Sequence, residues 1–315
     1  MSEEIIEDAG LTNQEFLAAI LDAADGHLKQ ASASGTRQIK RKIREAGFAR
    51  MVLPFKDVDV TTQSIPGSDL PVVVEEMEAD SPGAKAVSFG GAPDTVFYHG
   101  DSFVVYFHNI QTPEFKQNIY VLKTYKNDLR NTVTDNALRD VHTAEDAGLI
   151  NQVDDIVGTL GVADGAAGYQ QNYGIVGGIS RTNYPLIQNY LEDRELMNGC
   201  YLMNRNTAKV FQTWDRTDIG GDLAQDIFTD GAAALKSGKI GGIPHIFTMK
   251  KALVPNSVVY QFAEPDYLGR AYVLQPLTLY IKKEKDTITV SAMEKIGITF
   301  ANVAGLNRVE FGQSE

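Results

Sequence analysis

Residues 127–157 read NDLRNTVTDNALRDVHTAEDAGLINQVDDIV and form the longest periodic segment of the chain. Apolar and small residues recur at steps of three to five: Leu129, Val133, Ala137, Val141, Ala144, Gly148 and Val153, widened by Leu149, Ile156 and Val157. The opposite face is polar: Asp128, Arg130, Asp135, Arg139, Asp140, Glu145 and Asp154. This pattern predicts one amphipathic helix. At 1.5 Å per residue it would be about 45 Å long and act as the spine of the molecule.

Acidic residues stand in adjacent pairs along this segment, at Glu145-Asp146 and Asp154-Asp155. Neighbouring positions diverge around a helix, so both pairs are poor candidates for a catalytic carboxylate dyad. His142 has Asp146 four residues later, a spacing that usually gives a surface contact. We therefore expect these side chains to lie on a solvated face.

A second informative stretch is SGKIGGIPHIF at 237–247. A glycine-rich loop with a lysine can hold phosphate, but that motif needs Gly, four residues, then Gly-Lys-Ser/Thr at a helix start. Here Lys239 precedes the glycines. Pro244 removes an N–H group and favours extended backbone before it. The stretch predicts a turn at Gly241-Gly242 followed by a strand.

The N-terminal part divides into helices and an arm. Thr12-Asn13-Gln14-Glu15 predicts a helix start, and a basic helix is expected over about 36–46, where a solvated face is favoured over nucleic-acid contact. Residues 51–92 hold short β-rich pieces between turn signals, which predicts an extended hairpin that lies against another body. Two strands are predicted next, at 102–110 and 118–125.

Beyond the spine the composition changes. Residues 158–180 are glycine-rich and predict a flexible, loop-rich entry to a second domain. A helix is predicted over 183–196, a buried strand over 200–204 and a helix over 205–214. The later segments SVVYQF, AYVLQPLTLYIKK and ITVSAMEKIGITFAN are rich in Val, Ile, Tyr and Thr and predict strands.

The bulk composition is that of an ordinary globular protein. The chain has 315 residues, 43% apolar and 22% charged, with a formal net charge of −12. Diffuse negative charge argues against a dedicated nucleic-acid binder. The acidic start MSEEIIEDAG does not resemble a signal peptide, and no apolar run is long enough to span a membrane. The single cysteine, Cys200, fits a reducing compartment.

Residues that carry chemistry are scattered. The five histidines lack ligand-spaced Cys, His or Glu partners, and they are His27, His99, His108, His142 and His245. Cys200 lies in an apolar segment and is interpreted as a buried, inert thiol. No Gly-x-Ser-x-Gly elbow is present. The sequence therefore predicts no catalytic, cofactor-binding or metal-binding residues, and no enzyme.

Two long stretches in this order resemble the major capsid proteins of tailed bacteriophages, the Hong-Kong-ninety-seven fold. The first, TPEFKQNIYVLKTYKNDLRNTVTDNALRDVHTAEDAGLINQVDDIV, is similar to the family's spine region, with Ala144, Glu145 and Asp146 before Leu149 and Ile150. The second, GKIGGIPHIFTMKKALVPNSVVYQFAEPDYLGRAYVL, is similar to its Gly-Ile-Pro strand and the segment ending at 266–270. The closing EKIGITFANVAGLNRVEF resembles the final strands.

The resemblance implies an α+β fold in four parts. Residues 1–50 would form an N-terminal arm with helices, and 51–91 an extended loop lying on a neighbouring subunit. Residues 92–157 and 276–315 would form a peripheral domain with the spine helix. Residues 158–275 would form an axial domain that meets its copies around five-fold and six-fold axes.

The resemblance also implies a function. The chain would assemble with itself, as hexamers and pentamers, into an icosahedral capsid around double-stranded DNA. Its negative charge would give that capsid a lining that does not bind the DNA tightly. It would be made in the host bacterial cytoplasm and reside in the virion, with no membrane partner. Scaffolding, portal or decoration proteins are expected partners. No large scaffolding segment precedes the arm, so we expect scaffolding to come from a separate protein.

Two alternatives stay open at this point. An encapsulin-like shell of a bacterial nanocompartment shares the fold and would enclose a cargo enzyme. A soluble nucleotide-binding enzyme built on the glycine-rich loops would bind a phosphate ligand through Lys239. The two N-terminal helices favour the phage capsid over the compartment shell.

Overall fold

The computed structural model describes residues 18, 47–58, 71–76, 91, 95, 102–123, 129–180, 182–213, 239–240 and 242–313. The predicted helices near residues 12 and 36–46, and most of the predicted extended loop, lie outside these residues. Within the described residues, no helix is long and apolar enough to cross a membrane.

The spine helix, α3, is present as Leu129–Val157, close to its predicted bounds. The elements that precede the spine helix in the chain are α1 (Ala49–Val52), β1 (Phe55–Asp57), β2 (Val72–Glu76), β3 (Ser102–Tyr106), β4 (His108–Gln111), β5 (Phe115–Asn118) and α2 (Ile119–Lys123). Gly158 follows the last helical residue with a positive φ of 70°, the left-handed conformation that commonly ends a helix.

The elements after the spine alternate short helices with strands. They are β6 (Asn172–Val176), α4 (Tyr184–Glu192), β7 (Asn198–Asn204), α5 (Arg205–Ala208), a 3₁₀ helix (Lys209–Thr213), β8 (Lys239–Ile240), β9 (Ile243–Thr248), β10 (Val258–Ala263), α6 (Pro265–Leu268), β11 (Gly269–Glu284), β12 (Thr287–Phe300), a 3₁₀ helix (Val303–Gly305) and β13 (Leu306–Gln313). The predicted helix at 183–196 and the predicted strands of this half are confirmed, with small shifts of their ends.

Three sheets organise these strands. The first has the order β1-β11-β12-β4, with β5 also paired to β12. The second has six strands in the order β6-β13-β10-β7-β9-β8, and the third is the β2–β3 pair. Strand β11 is irregular between Val273 and Thr278, the stretch that holds Pro276, which has no N–H group to donate to a ladder.

The spine helix packs against both large sheets. Ala137, Leu138 and Val141 share a core with the distal parts of β11 and β12. About two to four turns beyond Val141, the residues Leu149, Ile150, Val153 and Val157 enter a larger core with residues from α1, β7, β9, β10, β11 and β12. A third core lies beneath α4 and the 3₁₀ helix that follows α5. The helix therefore joins the two sheets through two separate groups of apolar residues along its length.

The burial pattern corrects the predicted helix faces. Ala144 and Gly148, placed on the apolar face, are exposed. Glu145, placed on the polar face, is 1% exposed, and His142 and Asp146 are buried too. The period of apolar residues located the helix, but charged partners from other segments hold Glu145 and Asp146 in the interior.

The predicted strand at 118–125 is wrong. Asn118 ends β5, and residues 119–123 form α2 instead. The Asn118 side-chain carbonyl accepts a hydrogen bond from the Tyr120 N–H at 2.9 Å, the contact that starts a helix. The predicted strand 102–110 is divided at Phe107, because β3 pairs with β2 while β4 pairs with β12.

The predicted domain bounds do not coincide with the sheets. The bound between 275 and 276 falls inside β11, and β13, predicted to be peripheral, pairs with β10 and β6 of the second sheet. Residues 49–57 pack in the body, where β1 pairs with β11, so the proposed extended loop concerns residues beyond 57.

We predict that Val141→Asp unfolds the protein or lowers its free energy of unfolding by several kcal/mol. Val141 is fully buried, and an unpaired carboxylate there would lose its hydration without a partner. Urea denaturation followed by circular dichroism measures the change. The matched control Asn151→Asp, on an exposed position of the same helix, should shift the free energy by less than about 0.5 kcal/mol. Near-native stability of Val141→Asp would contradict the assignment.

Candidate functional site

The glycine-lysine stretch forms a β-hairpin. Lys239 pairs with Pro244 and Ile240 with Ile243, and Gly242 lies in the turn between β8 and β9. Gly242 has a φ of 85°, a conformation that favours glycine. The predicted turn followed by a strand is confirmed. A phosphate loop would instead lead into a helix N-terminus.

Strand β9 carries His245 into the third core, beneath α4. The residue is fully buried, and β9 pairs in parallel with β7 so that His245 lies opposite Tyr201. Its Nε2 is hydrogen-bonded to the Tyr184 hydroxyl, and its Nδ1 lies 2.7 Å from the Ile243 carbonyl oxygen. The Nε2 contact therefore fixes the strand against α4, while the Nδ1 contact lies within β9.

Cys200 and the other histidines lie in different surroundings. Cys200 is buried as predicted, and burial raises the pKa of its thiol to about 12, so the thiol stays protonated. Among the described residues, no group of three or more His, Cys, Asp or Glu side chains is placed to hold a metal ion. His27 and His99 lie outside those residues.

A buried charge network connects the spine helix to three other segments, and sequence reasoning missed it. Its members are Arg50 of α1, Glu145 and Asp146 of the spine helix, Lys250 after β9, and Glu294 of β12. The expectation that His142 and Asp146 make a surface contact is wrong, since their exposed fractions are 4% and 0%. We call the five side chains of Arg50, Glu145, Asp146, Lys250 and Glu294 the junction network.

Asp146 makes two contacts at once. One carboxylate oxygen accepts the Ala49 N–H at 2.9 Å, at the start of α1. The other lies 2.6 Å from the Lys250 ammonium nitrogen, which also donates to the His142 carbonyl oxygen at 3.3 Å. Burial raises the pKa of Asp146, while Lys250 and the Ala49 N–H oppose that shift. One side chain thus ties α1 and the end of β9 to the spine.

Arg50 bridges two carboxylates. Its Nε and Nη2 donate to the two oxygens of Glu145 at 3.1 and 2.7 Å, and Nη2 also donates to Glu294 at 2.8 Å. The bidentate geometry is the strongest form of an arginine–carboxylate contact. The guanidinium also lies 4.8 Å from the centre of the Phe55 ring. Glu145 and Glu294 side chains are 0% and 1% exposed.

Burial shifts the pKa values of Glu294 and His142 in opposite directions. It raises the pKa of Glu294 to about 8, with the Glu145 charge adding to the effect and Arg50 opposing it. It lowers the pKa of His142 to about 4, because the imidazolium would lose its hydration, and the Glu145 charge opposes that shift. The Nε2 atom of His142 and the Oε2 atom of Glu294 are buried without a hydrogen-bond partner in the described part of the chain.

An open cavity of about 470 Å³ lies beside the junction network. Its apolar wall includes Phe48, Leu138 and Ile246, and the exposed methionines Met51 and Met249 also line it. Asp146 and Lys250 line it as well but are paired with each other. The charges of the junction network therefore join segments of the protein.

A second network fixes the glycine-rich segment after the spine, which the sequence predicts to be flexible. Arg194 donates to the Ala304 carbonyl at 2.9 Å, the Asn307 side chain at 2.8 Å and the Tyr173 hydroxyl at 2.8 Å. Gln171 donates to the Leu306 carbonyl at 2.8 Å. These bonds hold the segment so that residues 172–176 pair with β13, which corrects the prediction of a flexible loop.

We predict that Asp146→Ala lowers the free energy of unfolding by roughly 3 kcal/mol, because the Lys250 ammonium and the Ala49 N–H both lose a buried acceptor. The double variant Asp146→Ala/Lys250→Met should cost less than the sum of the two single changes, as measured by urea denaturation. The control Glu114→Ala breaks the exposed pair with Lys116 and should change stability by less than about 0.5 kcal/mol. Strict additivity of the two changes would contradict the pairing.

His142 supplies a pH prediction. With a folded pKa near 4 and an ordinary value of 6.5, its contribution is present above pH 6.5 and is lost as the pH falls towards 4. The stability of His142→Gln relative to wild type should therefore rise by roughly 2 kcal/mol between pH 7.5 and pH 5. Urea titrations at both pH values measure this difference. A difference that stays constant with pH would contradict the burial of a neutral imidazole.

The fold is shared with viral capsid proteins of known structure. A structure from Microbacterium phage Oxtober96 matches with a TM-score of 0.59 and 10% identity, over 85% of this chain and 91% of that chain. The asymmetric unit of the bacteriophage PhiM1 mature capsid matches with a TM-score of 0.56 and 8% identity, over 86% and 88%. The capsid of a native GTA particle matches with a TM-score of 0.57 and 13% identity, over 85% and 91%.

Sequence comparison adds nothing to this likeness: no protein-family model matches the chain, and no curated protein matches it. At these identities the structural matches establish the architecture, and they extend over most of both chains. The chain therefore has the α+β fold of tailed-phage major capsid proteins, as the resemblance of its two long stretches implied.

Proposed function

We propose that this chain is a shell-forming structural protein, the major capsid subunit of a tailed bacteriophage. The observation that carries the proposal is the match to capsids of known structure over about five-sixths of the chain. A fold by itself hosts more than one function, so the assignment also needs support from the residues.

The described residues support a structural role. The charged groups of the junction network form contacts between α1, the spine helix, β12 and the segment after β9. The lysine-containing glycine turn is a hairpin of the second sheet. Both features that could suggest chemistry thus serve to hold a rigid subunit together, which is what a repeated building block requires.

In this proposal the copies form hexamers and pentamers of an icosahedral shell around double-stranded DNA. The division into an arm, an extended loop, a peripheral domain and an axial domain belongs to the same proposal, with β13 assigned to the axial part because of its pairing. The net charge of −12 supports a shell that touches packaged DNA only non-specifically. Scaffolding, portal or decoration proteins would complete the virion.

The test is assembly of the full chain. Purified protein, alone and co-expressed with a scaffolding protein, is examined by sedimentation velocity and negative-stain microscopy over a range of salt and protein concentration. We expect hexamers, pentamers or closed shells. A protein that stays monomeric in every condition, scaffold included, would contradict the proposal. Closed particles that form without scaffold and retain a cargo enzyme would favour a compartment shell instead.

A further inference from the structure

Two carboxylates meet one guanidinium in the junction network. Glu145 and Glu294 both lie within hydrogen-bond distance of Arg50, and both are almost completely buried. If both were ionised, the cluster would carry one uncompensated negative charge away from water, which is costly. Two carboxyl groups in such a site share a proton, as one of them is kept neutral.

The geometry shows which carboxyl group is the better proton carrier. Glu145 receives two bonds from Arg50, one to each oxygen. Glu294 receives one bond, to Oε1, and its Oε2 is buried without a hydrogen-bond partner among the described residues. An ionised carboxylate is best satisfied where both oxygens accept hydrogen bonds, so the shared proton belongs on Glu294.

Among the described residues, no other neighbouring charged group compensates an ionised Glu294 in place of that proton. From the spine helix, His142 and Asp146 lie nearby, and Asp146 is paired with Lys250. From β4, His108 is exposed and lines a cavity of about 160 Å³ together with Glu145. On β12 itself, the neighbouring Lys295 follows Glu294 directly and so points to the other face of the strand. Arg50 is the cation bonded to Glu294 in the described residues.

We propose that Arg50, Glu145 and Glu294 form a proton-controlled latch that fastens the segment 48–57 to the spine helix and β12 and loosens as the pH rises. Segment 48–57 holds α1 and β1.

The sign of the effect follows from the raised pKa of Glu294, about 8 in the folded protein against an ordinary value of 4.5. When the segment opens, Glu294 regains water and its ordinary acidity. Opening then releases one proton, so the contribution of Glu294 to the latch is greatest below pH 4.5 and weakens up to pH 8. Between pH 6.5 and 8 the opening equilibrium should rise roughly tenfold per pH unit.

Hydrogen exchange of the full chain measures this opening. The amides of Met51, Val52 and Leu53 donate within α1 and its end, and they report on the segment. After correction for intrinsic exchange rates, their opening constants should rise roughly tenfold per unit from pH 6.5 to 8 and level off above it. In Glu294→Gln, which copies the protonated group, they should change by less than about twofold over the same range.

The control is Glu284→Gln, which removes an exposed carboxylate on the neighbouring strand β11 and should keep the wild-type slope. Infrared spectroscopy gives a second readout: the band of a protonated carboxyl group should be present in wild type at pH 6.5 and missing from Glu294→Gln. A flat wild-type profile, a Glu294→Gln profile with the wild-type slope, or failure of Glu294→Gln to fold at pH 6.5 would each overturn the latch.

Discussion

The contact on which the rest of the molecule depends is the one that Asp146 makes from the middle of the spine helix. Its two oxygens hold the first N–H of α1 and the ammonium group of Lys250. A buried carboxylate is costly unless both oxygens have partners, so each of these contacts stabilises the other. Around it, apolar residues of the spine, α1 and both large sheets share one core. The two sheets, which pair no strand with each other in the described residues, are thereby joined through the helix.

This contact also explains why two distant stretches of sequence belong together. Asp146 lies in the Ala-Glu-Asp stretch of the spine, and Lys250 follows the Gly-Ile-Pro strand. No local sequence pattern singles out Lys250, and Lys239, the lysine that suggested phosphate binding, lies in the hairpin that leads into the same strand. The residue of this segment that makes the decisive contact is therefore Lys250, at its far end, and not a glycine. Its role is to connect parts of the subunit.

Much of the fold could be predicted from local pattern. The period of apolar residues located the spine helix, and runs of Val, Ile, Tyr and Thr located the strands β10 to β12, because these signals arise from neighbours in sequence. The buried charges could not be found this way. Arg50 and Glu294 lie far from Glu145 in sequence, and a charged residue on a helix is predicted to face water until its partner is known. The helix after Asn118 was missed because one side-chain hydrogen bond outweighs the β propensity of its residues. The pairing of β13 with the second sheet is a property of topology that no local pattern carries.

The junction network holds the parts of the subunit together, and in the proposed function such subunits assemble into a shell. Cryo-electron microscopy of particles assembled from the full chain tests both halves in one map. The account predicts closed shells in which every copy shows Asp146 between Ala49 and Lys250, and Arg50 between Glu145 and Glu294. Failure to obtain shells, or shells in which these side chains are separated and the spine helix is detached from α1, would contradict it.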